Sequence, residues 1–230
     1  MSDDAQRADW VGLTDLVGLI PAAGQARRLG ALPMSKELLP VAVRDTPAGA
    51  QVRVAAQGLL ELLARGGASR AYVVLRAGKE DVVRFLGRDG GVGLPLAFVT
   101  LPESPSLPAS LDAAYPFVRG QRVALGFPDV QLGPADAFAR LGARQQETGA
   151  DLVLGLVEPA RPSSTDMVAL GDGDRVVRIE VRPEKTELRW CWIVAVWGAR
   201  FTEHLHAFVA GGRGQAPPLH PERSFASPGS

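Results

Sequence analysis

Near the start of the chain, three kinds of residue could together hold a polyphosphate. The run Ala22-Ala23-Gly24-Gln25 is small and follows an apolar stretch, Leu16 to Ile20, that breaks at Pro21. Small residues let a backbone approach a ligand closely, and free N–H groups in such a turn attract phosphate oxygens. Arg28 and Lys36 follow, and would bring fixed positive charge to the same anion. Far downstream, Asp129 stands just past another apolar run, Arg122 to Phe127. A carboxylate opposite an arginine and a lysine has one economical use: it holds Mg²⁺, which together with the two cations neutralises a triphosphate. Asp129 also reads as a turn residue or helix cap before Pro134.

The elements around these residues alternate. Leu16 to Ile20 reads as a strand buried on both faces, and Glu37 to Val43 as extended, with Pro40 marking an edge or irregularity. From Gln51 the apolar residues recur at helical spacing as far as Leu63, and Gly66-Gly67 stops them. Strands are expected at 71–75, 94–101, 122–127 and 151–157, with helices at 79–86 and 136–147. A helix is expected from Ala109 to Phe117, with Ser110 as its N-cap. A hairpin follows at 167–181, then a strand at 189–197 and a helix at 201–209. Such alternation makes an α/β fold with a mostly parallel sheet and helices on both faces, in which ligands bind outside the carboxyl ends of the strands. Residues 1–14 read as an N-terminal extension, 15–210 as one domain and 211–230, rich in Gly and Pro, as a flexible tail.

Composition narrows the classes. The 230 residues carry a formal net charge of zero, so no global field draws the chain to nucleic acid or to an anionic membrane. The single cysteine, Cys191, excludes an intrachain disulfide or a multi-cysteine metal site. Met1 to Trp10 lacks the basic start and apolar core of a signal peptide, and no apolar run is long enough to span a bilayer, so a cytoplasmic location is expected. There is no G-x-x-x-x-G-K-[ST] loop, and Ala26 and Leu29 stand where a dinucleotide fingerprint needs glycines. Glu203, His204 and His206 do not converge at metal-ligand spacing and read as a solvated helix face. Trp190 and Trp192 share one face of their strand, with Cys191 opposite.

The combination Ala22-Ala23-Gly24-x-x-x-Arg28-Leu29, followed by Lys36-Glu37-Leu38-Leu39-Pro40-Val41, resembles the opening of the sugar-1-phosphate nucleotidyltransferases. Ala124 to Asp129 is similar to that family's metal-binding aspartate at a strand end, and Arg178 to Pro183 is similar to its Glu-Lys-Pro segment. The resemblance covers residues 16–208. It implies a Rossmann-like (GT-A-like) fold and transfer of a nucleoside monophosphate from a nucleoside triphosphate, dTTP or UTP by family frequency, to a sugar 1-phosphate. By position, Ala22, Ala23, Gly24 and Gln25 would line the nucleotide, and Ser110 and Leu111 would meet the nucleobase. Arg28 would grip the outer phosphates and Lys36 the α-phosphate, Arg182 would face the sugar phosphate, and Asp129 would hold Mg²⁺. The partners implied are the two substrates, and a homo-oligomer is left open.

Several positions depart from the family pattern. Ala26 and Arg27 replace a second glycine and a Ser or Thr, and Val181 replaces a glutamate. The family's second metal aspartate has no counterpart, since no Asp follows Asp174. Two other readings therefore stand beside the first: a cytidylyltransferase acting on another phosphorylated alcohol, and a nucleotide-binding module without turnover.

Overall fold

The computed structural model describes residues 16–24, 30, 32–46, 49–87, 92–211 and 225–226. Its centre is β1, Leu16–Pro21, buried from Leu16 through Ile20 as a strand covered on both faces must be. Two parallel neighbours flank it. β4 (Ala71–Arg76) pairs on one side, with Leu19 opposite Tyr72, and β6 (Arg122–Gly126) on the other, with Leu19 opposite Leu125. β5 (Leu96–Leu101) extends the parallel set beyond β4. The carboxyl ends of β1, β4 and β6 thus lie side by side.

The other half of the sheet is antiparallel. β10 (Trp190–Trp197) runs against β6 and against β7 (Leu152–Val157), and Phe225–Ala226 adds a short parallel β11 to the outer edge of β7. The result is a mixed nine-stranded sheet whose central strands are parallel. β10 pairs with β6 only over Val194–Trp197; over Trp190–Cys191 that same edge takes β8 (Asp166–Leu170) instead. β8 therefore begins where β6 stops, and with β9 (Val176–Val181) it overhangs the carboxyl ends of β6 and β1.

Two apolar layers cover the sheet. On one face pack α1 (Ala55–Arg65) and α5 (Ala137–Thr148), through Leu59, Leu60, Leu63, Phe138 and Leu141, all within 1% of complete burial. The other carries α3 (Leu107–Asp112), α4 (Tyr115–Val118) and α6 (Ala199–Gly211), over a layer that includes Trp197, whose indole N–H donates to Thr202 Oγ1 at 3.0 Å. α2 (Glu80–Phe85) follows β4 and buries Val82. No helix among the described residues is long and apolar enough to cross a membrane.

Two expectations change. Helical spacing from Gln51 gives way to strand: β2 (Pro40–Thr46) and β3 (Gly49–Val54) form a separate hairpin, with Val43 opposite Val52 and a bulge near Pro40, and the helix begins only at Ala55. Alternating β-branched residues, Val52-x-Val54, favour the pleated conformation until the alanines begin. The helix expected from Ala109 to Phe117 is two helices, and Ser110 is not its cap. Ser106 caps α3, its hydroxyl accepting from Ala109 N–H at 3.3 Å, and Pro108 sits in the first turn, where no donor is needed. Pro116 in turn opens α4, because a proline cannot continue the preceding helix.

Close packing of α1 on the sheet gives a stability prediction. A Cβ on Gly126 would drive into Leu59 Cδ1, with Leu59 Cγ 3.3 Å away, and Leu59 is fully buried and has nowhere to turn. Gly126→Ala is expected to lower the unfolding free energy by about 1–3 kcal/mol, read as an earlier urea midpoint at unchanged slope.

Candidate active site

The chain leaves β1 through Pro21 into Ala22, Ala23 and Gly24. Ala22 and Ala23 are buried, at 1% and 3% exposure, and Gly24 is exposed. The amide of Ala22 donates to Val74 O at 2.8 Å, prolonging the β1–β4 ladder by one residue, and so is not available to a ligand. Gln25 and Arg28, both expected to touch the nucleotide, lie outside the described residues. The chain returns in a single 3-10 turn, Lys36–Leu38, and here neighbouring side chains go opposite ways.

Glu37 points inward and is fully buried. Its Oε1 accepts from Lys79 Nζ at 2.7 Å, and the same ammonium donates to Ala22 O at 2.6 Å. Lys79, just after β4, therefore ties the loop that follows β1 to the turn that carries Lys36. Burial lowers the Lys79 pKa below its ordinary 10.5, against the raising pull of Glu37. Glu37 Oε2 is buried without a hydrogen-bond partner among the described residues.

Lys36 points outward. Its Nζ lies 2.7 Å from Asp129 Oδ2, and a Cβ placed on Gly24 would be 3.9 Å from the same nitrogen. Asp129 follows β6 through Phe127 and Pro128, so this contact joins the ends of two adjacent parallel strands. Gly24, Lys36 and Lys79 line an open cavity of about 450 Å³ together with Arg76, Arg84 and Asp81. Of those cations Lys36 is the one aimed at Asp129. Lys79 is anchored below, and Arg76 Nη1 donates to Ala77 O at 3.0 Å.

A second clasp holds the turn from outside. Asp81, at the start of α2, accepts from Ser35 N–H and from Ser35 Oγ, each at 2.7 Å. Burial raises the Asp81 pKa, but the Ser35 and Val82 hydrogen bonds outweigh it and leave the carboxyl below its ordinary 3.8. A depressed carboxyl pKa stabilises the fold above the unfolded value, and that stability is lost as pH falls through the native value. Unfolding between about pH 2 and 5 should therefore show a slope that Asp81→Asn flattens. An unchanged slope would mean that the clasp contributes nothing.

Three further expected positions, Ser110, Leu111 and Arg182, lie on α3 and just past β9. Ser110 is 2% exposed, and its hydroxyl bonds to Ser104 Oγ and to Ser106 O. Leu111 packs into the core layer beneath α3. Neither side chain lines the cavity beside Gly24. Arg182 is exposed at φ 43° just past β9, and its neighbour Val181 stands opposite Asp166 at the start of β8. That register sets Arg182 over the same end of the sheet as Asp129.

Sequence reasoning missed Glu37, Lys79, Asp81 and Asp166. Lys79 and Asp81 carry a weak signal, the charged run Lys79-Glu80-Asp81 after the Arg76-Ala77-Gly78 strand end, and Glu37 only its place beside Lys36. Asp166 has none, yet its Oδ1 is buried without a partner among the described residues. The expected solvated face of α6 keeps Glu203 exposed but also makes contacts with α3 and α4. His206 stacks on Tyr115 at 3.7 Å and its Nδ1 lies 2.9 Å from Asp112 Oδ1, while Tyr115 Oη donates to Glu203 at 2.8 Å. The paired tryptophans also separate: Trp192 meets Phe127, and Trp190 lines an apolar cavity of about 480 Å³ with Leu141 and Ile193. That larger cavity lacks the converging cations of the first.

No protein-family model matches the chain, and no curated protein matches it in sequence. Solved structures match it along most of its length. A Bacillus anthracis protein described as a glucose-1-phosphate thymidylyltransferase, solved with sucrose, superposes with a TM-score of 0.74 at 14% identity, covering 92% of this chain and 86% of that one. The chain has the sugar-1-phosphate nucleotidyltransferase fold. A UDP-glucose pyrophosphorylase complexed with UDP-glucose gives 0.67 at 16% identity, covering 90% of this chain and 85% of that one. In this nucleotidyltransferase fold the Lys36–Asp129 contact lies where open α/β sheets bind ligands, outside the carboxyl ends of adjacent strands.

The donor set can be tested against Mg²⁺. Among the described residues no three His, Cys, Asp or Glu side chains cluster as a metal cage. Asp129 offers one carboxylate, half-exposed, whose Oδ1 takes no hydrogen bond among the described residues. Mg²⁺ commonly binds through one or two carboxylates, with substrate phosphates and water completing its shell. The site fits an ion that arrives on a triphosphate.

Proposed function

We propose that this chain transfers a nucleoside monophosphate from a nucleoside triphosphate to a sugar 1-phosphate and releases pyrophosphate. The meeting of Lys36 and Asp129 beside Gly24 carries this reading, because it brings a fixed cation and a carboxylate together at the mouth of a cation-lined cavity. In the reaction an oxygen of the sugar phosphate attacks the α-phosphorus, and the bond from that phosphorus to the bridging oxygen breaks. Positioning and charge neutralisation are all that such a displacement asks of the protein.

Lys36 neutralises the α-phosphate as its charge redistributes, and Arg28 grips the outer phosphates. The amides of Ala23 and Gly24 would serve the nucleotide, while Ala22 is a fixed point, its amide bonded to Val74 O and its carbonyl held by Lys79. Asp129 would hold Mg²⁺, which supplies charge neutralisation to the phosphates when bound. Arg182 approaches the sugar phosphate from the overhanging hairpin, and the base is thymine or uracil.

The test is a pyrophosphate-release screen of dTTP, UTP, CTP, ATP and GTP against a panel of sugar 1-phosphates, with and without Mg²⁺. Turnover with dTTP or UTP supports the reading, and turnover only with CTP and another phosphorylated alcohol replaces it with a cytidylyltransferase. One observation favours a further alternative: Asp129 belongs to no cluster of three ligating side chains among the described residues and is already paired with Lys36. Triphosphate binding by calorimetry, with no release from any pair, would make the chain a nucleotide-binding module.

A further inference from the structure

β9 is an edge strand whose sequence is complementary to itself. Among the described residues it pairs with β8 alone, so one of its two backbone edges has no strand beside it. Ile179 and Val181 share a face and are 40% and 74% exposed, and Val177, at a bulge in the ladder, is 64% exposed. Ile179 stands opposite Val168, which is 1% exposed within the core layer. The apolar layer thus runs past β8 and out over β9, where nothing among the described residues covers it. On the other face Arg178 and Glu180 bond to one another at 2.7 Å, and Arg178 stays largely exposed.

We infer that β9 pairs antiparallel with β9 of a second copy of this chain, centred on Ile179. In that register each residue 179 + k faces residue 179 − k of the copy. Ile179 meets Ile179, Arg178 of each chain meets Glu180 of the other, and Val177 meets Val181. From residue 177 to residue 181 every cross-strand pair is apolar with apolar or cation with anion, and no like charges stand opposite each other, as a stable antiparallel pair requires. An arginine one residue before the centre and a glutamate one residue after it make the strand complementary to itself, the Arg178–Glu180 bond within one chain being exchanged for two between chains while Thr186 still donates to Glu180. The two-fold interface is isologous, and it closes at two copies. An open, apolar edge of this kind is a template for another strand, and here the charges choose which. The pair is short, and the association is correspondingly concentration-dependent.

Sedimentation velocity on the full chain tests this over a wide concentration range, with circular dichroism on each variant to confirm folding. The wild-type chain should pass from the mass of one chain to that of two. Arg178→Glu and Glu180→Arg each place like charges opposite at two symmetric positions, and each should weaken self-association by roughly tenfold or more. An equimolar mixture of these two variants restores both ion pairs, and should dimerise more strongly than either alone. That recovery cannot come from a general loss of folding. A wild-type chain that stays monomeric overturns the inference. A dimer that survives Ile179→Lys, or a mixture no tighter than its components, overturns it as well, because the contact would then lie elsewhere.

Discussion

Lys36→Ala is expected to reduce pyrophosphate release by on the order of 10²–10³-fold, the usual loss when a preorganised charge at the reacting centre is removed. The ammonium is held 2.7 Å from Asp129 and close against Gly24, so it meets an incoming phosphate without being reorganised. Lys36→Arg should recover little, since a planar guanidinium cannot occupy the place of a compact ammonium against the Gly24 backbone. Folding is not at issue: Asp129 is 40% exposed, and it remains solvated when its partner is lost. The partner variant separates the two roles. Without divalent metal, Asp129→Ala should bind triphosphate more tightly than wild type, because it frees the Lys36 ammonium from a competing carboxylate. With Mg²⁺ present it should lose turnover. Calorimetry with and without Mg²⁺, beside a turnover assay, checks both. Equal weakening of metal-free binding in the two variants would show that the pair acts only as a structural link.

The parts of this site that the sequence reveals are those whose chemistry is local. Ala22 to Gly24 must be small, Lys36 must be positive, and an apolar run ending in Pro128-Asp129 puts a carboxylate at a strand end. These follow from residue type and from the rule that parallel strands deliver ligands to their carboxyl ends. The buried strands were equally within reach, because 16–20 and 71–75 are continuous apolar runs, whereas their order in the sheet was not. What could not be read was contact between distant segments. Glu37 and Lys79 are 42 residues apart and Ser35 and Asp81 are 46 apart, and no periodicity joins them. Ser110 shows the converse. Its type suits a cap or a ligand contact, yet α3 turns its hydroxyl toward Ser104 and Ser106. The switch of β10 from β6 to β8 was also hidden, and it is that switch which carries Arg182 over the site.

Lys79→Met should be the most destabilising single change in the loop region, costing about 3–5 kcal/mol, since it strands a buried carboxylate. Glu37 is fully buried with one oxygen already unpartnered, and Lys79 supplies its only hydrogen bond among the described residues while also holding Ala22 O. The double variant Glu37→Gln with Lys79→Met removes both charges and should recover much of the loss, so the cycle shows strong coupling in denaturant unfolding. Alkaline pH provides a second axis. Burial holds Lys79 below 10.5 in the folded chain, so between the native value and 10.5 the unfolded chain binds the extra proton. Stability should therefore rise with pH across that window, and the rise should vanish in the double variant. Triphosphate affinity should fall in Lys79→Met even where the chain is folded, because the loop carrying Ala22 and the turn carrying Lys36 are no longer joined. If both single variants matched the double in stability, the buried pair would be incidental to the fold, and the link from β4 through Lys79 to the Lys36 turn would fail with it.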